Sequence, residues 1–213
     1  MNCKKGDLLL YAVTDRTWLS GDTLASRVQE AIEGGVTFIQ LREKNLEREE
    51  TLEEAKKIKE VCARSHIPFV INDDVELALQ VDADGVHVGQ RDMEAGAARR
   101  RLGPNKILGV TARTVEQALA AEKNGADYLG VGAAFVTGSK KDAKKISHET
   151  LREICEAVQI PVVAIGGIGE ENVEQLAGTG ICGVAVISAV FAKPDVKAAA
   201  QRLREKVLRM LSK

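Results

Sequence analysis

The 213-residue chain is 45% hydrophobic, enough to bury a full core, and its length fits one domain spanning residues 1–213. Its 30 basic residues balance 31 acidic ones, so nothing in the charge points to a nucleic-acid or membrane partner. Four scattered cysteines (Cys3, Cys62, Cys155, Cys182) without a CxxC pair argue for structural thiols in a reducing, cytoplasmic setting, and no apolar stretch reaches membrane-spanning length.

Short apolar runs alternate with longer amphipathic stretches to the end of the chain. Strands are expected over Leu8–Val13, Thr37–Leu41, Pro68–Ile71 and Gly85–Val88, with helices over Thr23–Glu33, Leu46–Ser65, Val75–Gln80 and Met93–Leu102. The second half repeats the pattern. Its strands are expected over Lys106–Val110, Tyr128–Val131, Pro161–Ile165 and Gly183–Ile187, and its helices over Val115–Lys123, His148–Val158, Glu171–Ala177 and Asp195–Leu211. Gly34-Gly35, Gly103-Pro104, Gly125 and Gly178 punctuate the junctions, and Thr114 with Gln117 has capping-box spacing. Eight strand–helix units predict an α/β fold, a single (β/α)8 TIM barrel. Val13-Thr14-Asp15-Arg16 stands where an open dinucleotide-binding sheet carries its glycine-rich turn.

In such a barrel the site lies where strands end and the following loops begin. The second strand is unusual there. Period-two alternation sets Ile39 and Leu41 on one face and Gln40, Arg42 and Lys44 on the other. Polar and cationic groups projecting from a barrel strand are costly unless an anion meets them, and a phosphorylated substrate is the simplest anion. Asn72-Asp73-Asp74, His87 through Asp92, Thr111, Thr137-Gly138-Ser139-Lys140, Gly166-Gly167 and Ile187-Ser188 occupy the other strand ends. Gly166-Gly167 lets backbone approach an anion, and loops after strands seven and eight commonly hold phosphate. Asp73 and Asp92 are candidate magnesium ligands, since that ion takes one or two carboxylates plus phosphate oxygens and water. For Asp92 alone, capping a helix that starts near Met93 stands level with metal binding. With Arg42, Lys44 and Lys140 beside them, a departing diphosphate favours the metal reading. His87, inside an apolar run, reads as a buried, hydrogen-bonded histidine, and His66 and His148 as surface or helix-start residues.

The series Tyr11-x-Val13-Thr14-Asp15, Gln40-Leu41-Arg42-Glu43-Lys44, Ile71-Asn72-Asp73, Gly85-Val86-His87-x-Gly89-Gln90-x-Asp92, Ala164-Ile165-Gly166-Gly167-Ile168 and Val186-Ile187-Ser188-Ala189 resembles the thiamine phosphate synthase family, in order and over almost the whole chain. The resemblance implies a magnesium-dependent transferase. It would join 4-amino-2-methyl-5-(diphosphooxymethyl)pyrimidine to a thiazole phosphate alcohol, or its carboxylated form, and release diphosphate. It also implies small-molecule partners and allows a homo-oligomer.

By the same resemblance Gln40, Leu41, Arg42, Glu43, Lys44 and Asn72 line the pyrimidine diphosphate site. Arg42, Lys44, Lys140 and Thr111 serve the diphosphate as catalytic groups. Thr137, Gly138, Ser139, Gly167, Ile187 and Ser188 contact the thiazole phosphate, and Asp73 and Asp92 bind Mg2+. The chain departs from the family in two places. Thr111-Ala112-Arg113-Thr114 stands where the family commonly has Ser-x-His-Thr, and Ala133 and Val136 replace prolines of the strand-six loop. Since proline restricts the backbone, weaker thiazole affinity is expected from the second change. The alternatives are an isomerase resembling the thiazole tautomerase, which needs no diphosphate arrangement, and a non-catalytic phosphate-binding regulator.

Overall fold

The computed structural model describes residues 3–19, 21–136 and 145–213. Eight parallel strands follow one another around a closed barrel: β1 (Leu10–Val13), β2 (Phe38–Leu41), β3 (Phe69–Asn72), β4 (Gly85–Val88), β5 (Ile107–Ala112), β6 (Tyr128–Gly132), β7 (Val162–Ile165) and β8 (Gly183–Val186). The last strand returns to the first, with Tyr11 opposite Ala185. The (β/α)8 expectation holds.

Alternation along each strand separates two cores. Tyr11, Val13, Phe38, Val70, Ile107, Tyr128, Val163 and Ala185 fill the barrel interior. Their neighbours Leu10, Ala12, Ile39, Leu41, Phe69, Ile71, Val86 and Leu108 face outward into the helix layer. Each large buried side chain contributes roughly 1.5–3 kcal/mol. At the N-terminal end of the barrel a short 3-10 turn, Lys5–Leu8, brings Leu8 into the interior cluster. Gly183 makes that approach feasible, since a Cβ there would lie 2.0 Å from the Leu8 carbonyl oxygen.

The outer layer contains α1 (Leu24–Glu33), α2 (Arg48–Arg64), α3 (Val75–Gln80), α4 (Ala95–Leu102), α5 (Val115–Lys123), α6 (His148–Ala157), α7 (Ser188–Phe191) and α8 (Val196–Leu211). Side-chain caps fix several starts: Thr23, Asp74, Thr114, Ser147 and Asp195 each accept a backbone N–H of the first turn. The box at Thr114 is modified. Thr114 accepts from the Gln117 N–H at 3.3 Å, but Gln117 returns its side chain to the N–H of Arg113, at 2.8 Å.

Two of the differences from the sequence reading lie in the second half of the chain. The helix expected over Glu171–Ala177 is one 3-10 turn, Val173–Leu176. Gly178 and Gly180 follow it with φ of +72° and +87°, and left-handed glycines end a helix rather than extend it. The single turn α7 was not anticipated, because four residues are too few to display a helical period.

Candidate active site

A cleft with about 790 Å3 of empty space, counting its open mouth, occupies the C-terminal end of the barrel. Of the residues singled out in the sequence, Gln40, Arg42, Asn72, Thr111, Gly167, Ile187 and Ser188 line it together. They come from the ends of five different strands or the loops just beyond, as the barrel topology requires.

Arg42 is the most unusual of them. Its side chain is only 9% exposed, its carboxylate partner Asp15 is 3.8 Å away, and its buried Nε has no partner among the described residues. The position is fixed from the main chain, where the Arg42 N–H donates to Thr14 Oγ1 at 3.0 Å. Thr14 is itself fully buried and donates its N–H to the Gln40 carbonyl at 2.9 Å. A guanidinium held this way has an unmet demand for an anion.

The rest of the β2 motif is dispersed. Leu41 is buried in the layer between barrel and helices, since alternation turns it outward. Glu43 pairs with Arg16 at 2.9 Å, and burial raises its carboxyl even though Arg16 pulls it down. Lys44 is exposed and lines a separate groove with Glu43, Arg48 and Asp74. The strand ends at Leu41, so the alternation that unites Gln40 and Arg42 does not carry on to Lys44. The structure therefore does not bring Leu41, Glu43 or Lys44 to the cleft as lining side chains.

Asp73 and Asp92 follow the adjoining strands β3 and β4, which pair Asn72 with His87. Asp73 has a left-handed φ of +65°, its N–H donates to the His87 carbonyl at 2.8 Å, and its Oδ2 accepts from Asn72 at 2.6 Å. Asp92 does not cap α4. That role falls to Glu94, which accepts the N–H groups of Gly96 and Ala97 at 3.0 Å and is pulled down by them. Asp92 instead accepts the Gly89 N–H at 2.8 Å, closing a turn on the exposed surface after β4. Among the described residues no three His, Cys, Asp or Glu side chains cluster as a metal site.

Gly166 and Gly167 have φ of +98° and +67°. A Cβ on Gly166 would meet Ala133 at 2.7 Å and one on Gly167 the Val136 carbonyl oxygen at 2.3 Å. Glycine is thus required for both conformation and the close approach of the strand-six loop. Asn172 steadies this turn, donating to the Gly167 carbonyl and accepting from the Gly169 N–H. Thr137, Gly138, Ser139 and Lys140 lie outside the described residues.

Two polar lining side chains were not assigned a binding role in the sequence. Arg113, two positions beyond Thr111, lines the cleft half-buried, and its guanidinium has no ion pair among the described residues. His87 is 7% exposed and bonded through both ring nitrogens, to Tyr128 at 3.0 Å and Thr111 at 2.9 Å. The strand-end rule pointed to His87, and Arg113 stood out in the sequence only as a departure from the family pattern; the structure shows that both face the cleft. The thiols offer no nucleophile: burial pushes Cys3, Cys62 and Cys155 up to about 12 and Cys182 to about 11.

Comparison with known proteins agrees with this geometry. A family model described as thiamine monophosphate synthase matches residues 10–190. The thiamine-phosphate synthase of Clostridium tetani is 53% identical, covering 95% of this chain and 97% of that one. The Clostridium beijerinckii enzyme of the same name is 48% identical, covering 97% and 99%. A solved thiamine phosphate pyrophosphorylase from Pyrococcus furiosus superposes with a TM-score of 0.89 at 43% identity, over 97% of this chain and 98% of that one. The chain therefore belongs to the thiamine monophosphate synthase family.

Proposed function

We infer that this cleft makes thiamine phosphate, with the whole chain, 1–213, acting as one catalytic unit. The carbon–oxygen bond of 4-amino-2-methyl-5-(diphosphooxymethyl)pyrimidine breaks, its electron pair leaves on diphosphate, and the pyrimidine methylene bonds to the ring nitrogen of 4-methyl-5-(2-phosphooxyethyl)thiazole or its carboxylated form. The observation that carries this reading is Arg42, a nearly buried cation whose Nε lacks a partner among the described residues, in a cleft built from strand ends. An isomerase acting on thiazole phosphate alone has no need of such a group. The synthase name carried by relatives at 53% and 48% identity favours the same choice.

Arg42 would neutralise charge growing on the departing diphosphate, and Thr111 would donate a hydroxyl to it. Lys140 and Lys44 belong to the proposal as further cations from the mouth, Lys44 by swinging in from its exposed groove. Gln40 and Asn72 would hold the pyrimidine, and Gly167, Ile187 and Ser188, with Thr137, Gly138 and Ser139, the thiazole phosphate. Leu41 and Glu43 would act only through main chain and packing. Aligning two substrates in one cleft supplies much of the remaining acceleration.

Asp73 and Asp92 would hold Mg2+. Two carboxylates after neighbouring strands, with no third ligand clustered among the described residues, suit an ion that completes its shell with phosphate oxygens and water. When bound, the ion supplies positive charge to the leaving diphosphate. A cytoplasmic setting is part of the same proposal, supported by four free thiols. The described helices include none long and apolar enough to cross a membrane.

The test is diphosphate release from purified protein given both substrates, each alone, and both without magnesium. Release that requires all three components and disappears in Asp92→Ala supports the proposal. A folded protein that binds thiazole phosphate without releasing diphosphate removes it in favour of the isomerase or regulator.

A further inference from the structure

A run of hydrogen bonds crosses the barrel interior beneath the cleft. Gln40 Nε2 donates to Tyr11 Oη, Tyr11 Oη meets Tyr128 Oη at 2.8 Å, Tyr128 Oη meets His87 Nδ1 at 3.0 Å, and His87 Nε2 meets Thr111 Oγ1 at 2.9 Å. It joins β2, β1, β6, β4 and β5 and begins and ends on residues that line the cleft. The space for it is built into the register. Gly109 sits opposite both His87 and Tyr128, and a Cβ there would lie 2.2 Å from the Tyr128 ring. Gly130 sits opposite Thr111, and its Cβ would come within 3.0 Å of His87.

With the Gln40 amide nitrogen turned toward Tyr11, one direction of the run satisfies every hydrogen. Tyr11 already accepts from the Gln40 amide, so its own hydrogen must go to Tyr128. Tyr128 then gives its hydrogen to His87 Nδ1, which must be the bare nitrogen. His87 therefore carries its proton on Nε2 and donates to Thr111. Thr111 in turn has its hydroxyl hydrogen left for the cleft. The opposite direction would strand the Tyr11 hydrogen in a side chain 1% exposed, at a cost of about 1–3 kcal/mol. Burial also pushes both phenols above their ordinary range, so the hydrogens that define the run stay in place.

We propose that Tyr128 is a positioning residue: through His87 it fixes the imidazole as the Nε2–H tautomer and makes Thr111 an obligatory hydroxyl donor toward an anion in the cleft. The kinetic part rests on the synthase reading. The tautomer does not, so the two can fail separately.

The experiment begins with nitrogen-15 NMR of His87 in the wild-type protein without ligands, assigned with His87→Asn. A protonated Nε2 and bare Nδ1 are expected. Protonation at Nδ1 instead overturns the proposal whether or not the protein has activity. Tyr128→Phe keeps the ring over Gly109 and removes the donor, so Nδ1–H should become populated. Tyr11→Phe leaves Tyr128 free to donate and should keep the Nε2–H form. A merely packing role would give both variants the wild-type spectrum.

In the active enzyme, Tyr128→Phe should lower kcat about tenfold, the equivalent of weakening one hydrogen bond to a charged group. The thiazole phosphate KM should stay near wild type. In a Thr111→Val background the same change should cost almost nothing further. Fully multiplicative losses in the double variant would show that Tyr128 does not act through Thr111.

Discussion

Arg42 shows how a single residue can be costly to the fold and useful to the site. Its charge is almost fully desolvated, with, among the described residues, one distant carboxylate at 3.8 Å and no partner for Nε. Removing an uncompensated buried charge should relieve the fold even as it disables the reaction. Arg42→Met should raise the urea midpoint, or leave it unchanged, and lower kcat/KM for the pyrimidine diphosphate roughly 100- to 1,000-fold. A loss of more than about 2 kcal/mol in unfolding would instead mark Arg42 as a structural ion pair. Arg113 invites a milder test. It replaces the histidine common in the family with a permanent cation, lines the cleft and has no ion pair among the described residues. Arg113→Ala should raise the KM of a phosphorylated substrate by about three- to tenfold and flatten its dependence on ionic strength. An unchanged salt dependence would place Arg113 outside the anion's reach.

At the scale of elements, the junction between α4, β5 and β6 depends on Arg99. Its guanidinium donates to the carbonyls of Gly103, Lys106 and Gly125 and to Asp127 Oδ2 at 2.6 Å. The same Asp127 oxygen accepts the Leu108 N–H at 2.9 Å, so one buried carboxylate ties the start of β5 to the approach to β6. Arg99→Ala leaves that carboxylate and three carbonyls short of donors. It should destabilise the protein by about 3–5 kcal/mol, read by urea unfolding, with KM values of the folded fraction unchanged. A loss under about 1 kcal/mol would mean that water replaces the guanidinium. Nothing in a sequence scan marks Arg99, because its partners are mostly backbone carbonyls of loops. The strands themselves were legible, since apolar alternation and glycine punctuation report directly on burial. Their ends were not. The motif Gln40 to Lys44 reads as one face of one strand, yet the strand stops at Leu41 and only Gln40 and Arg42 reach the cleft. Asp92 and Glu94 both carry carboxylates suited to capping, and the choice between them depends on which residue begins α4. The contact of Tyr11 with Tyr128 spans 117 residues and follows only from barrel closure.

Taken as a whole, the barrel buries acids that ordinarily ionise in alkali, and this sets a limit on its stability. Cys3 is 2% and Cys62 1% exposed, and burial lifts both from 9.0 to about 12. Tyr11 and Tyr128 are raised from 10.0 by the same cause. Unfolding returns each group to its ordinary value, so above that value the unfolded chain releases protons that the folded chain keeps. The folded state then binds more protons, and stability must fall as pH rises. Below about pH 9 the contribution is complete. Between pH 9 and 12 each of the two buried thiols should remove about 1.4 kcal/mol per pH unit, and the phenols add to the slope from about pH 10. Urea midpoints measured at pH 8, 9, 10 and 11 should therefore be level over the first interval and then drop increasingly steeply. Cys3→Ala combined with Cys62→Ala should reduce the part that begins near pH 9, leaving the share of Cys155 and Cys182, and should leave the part that begins near pH 10. A midpoint that stays level to pH 11 would mean that water reaches these groups in the folded barrel, and the closed interior assigned to Tyr11 and Tyr128 would have to be abandoned with it.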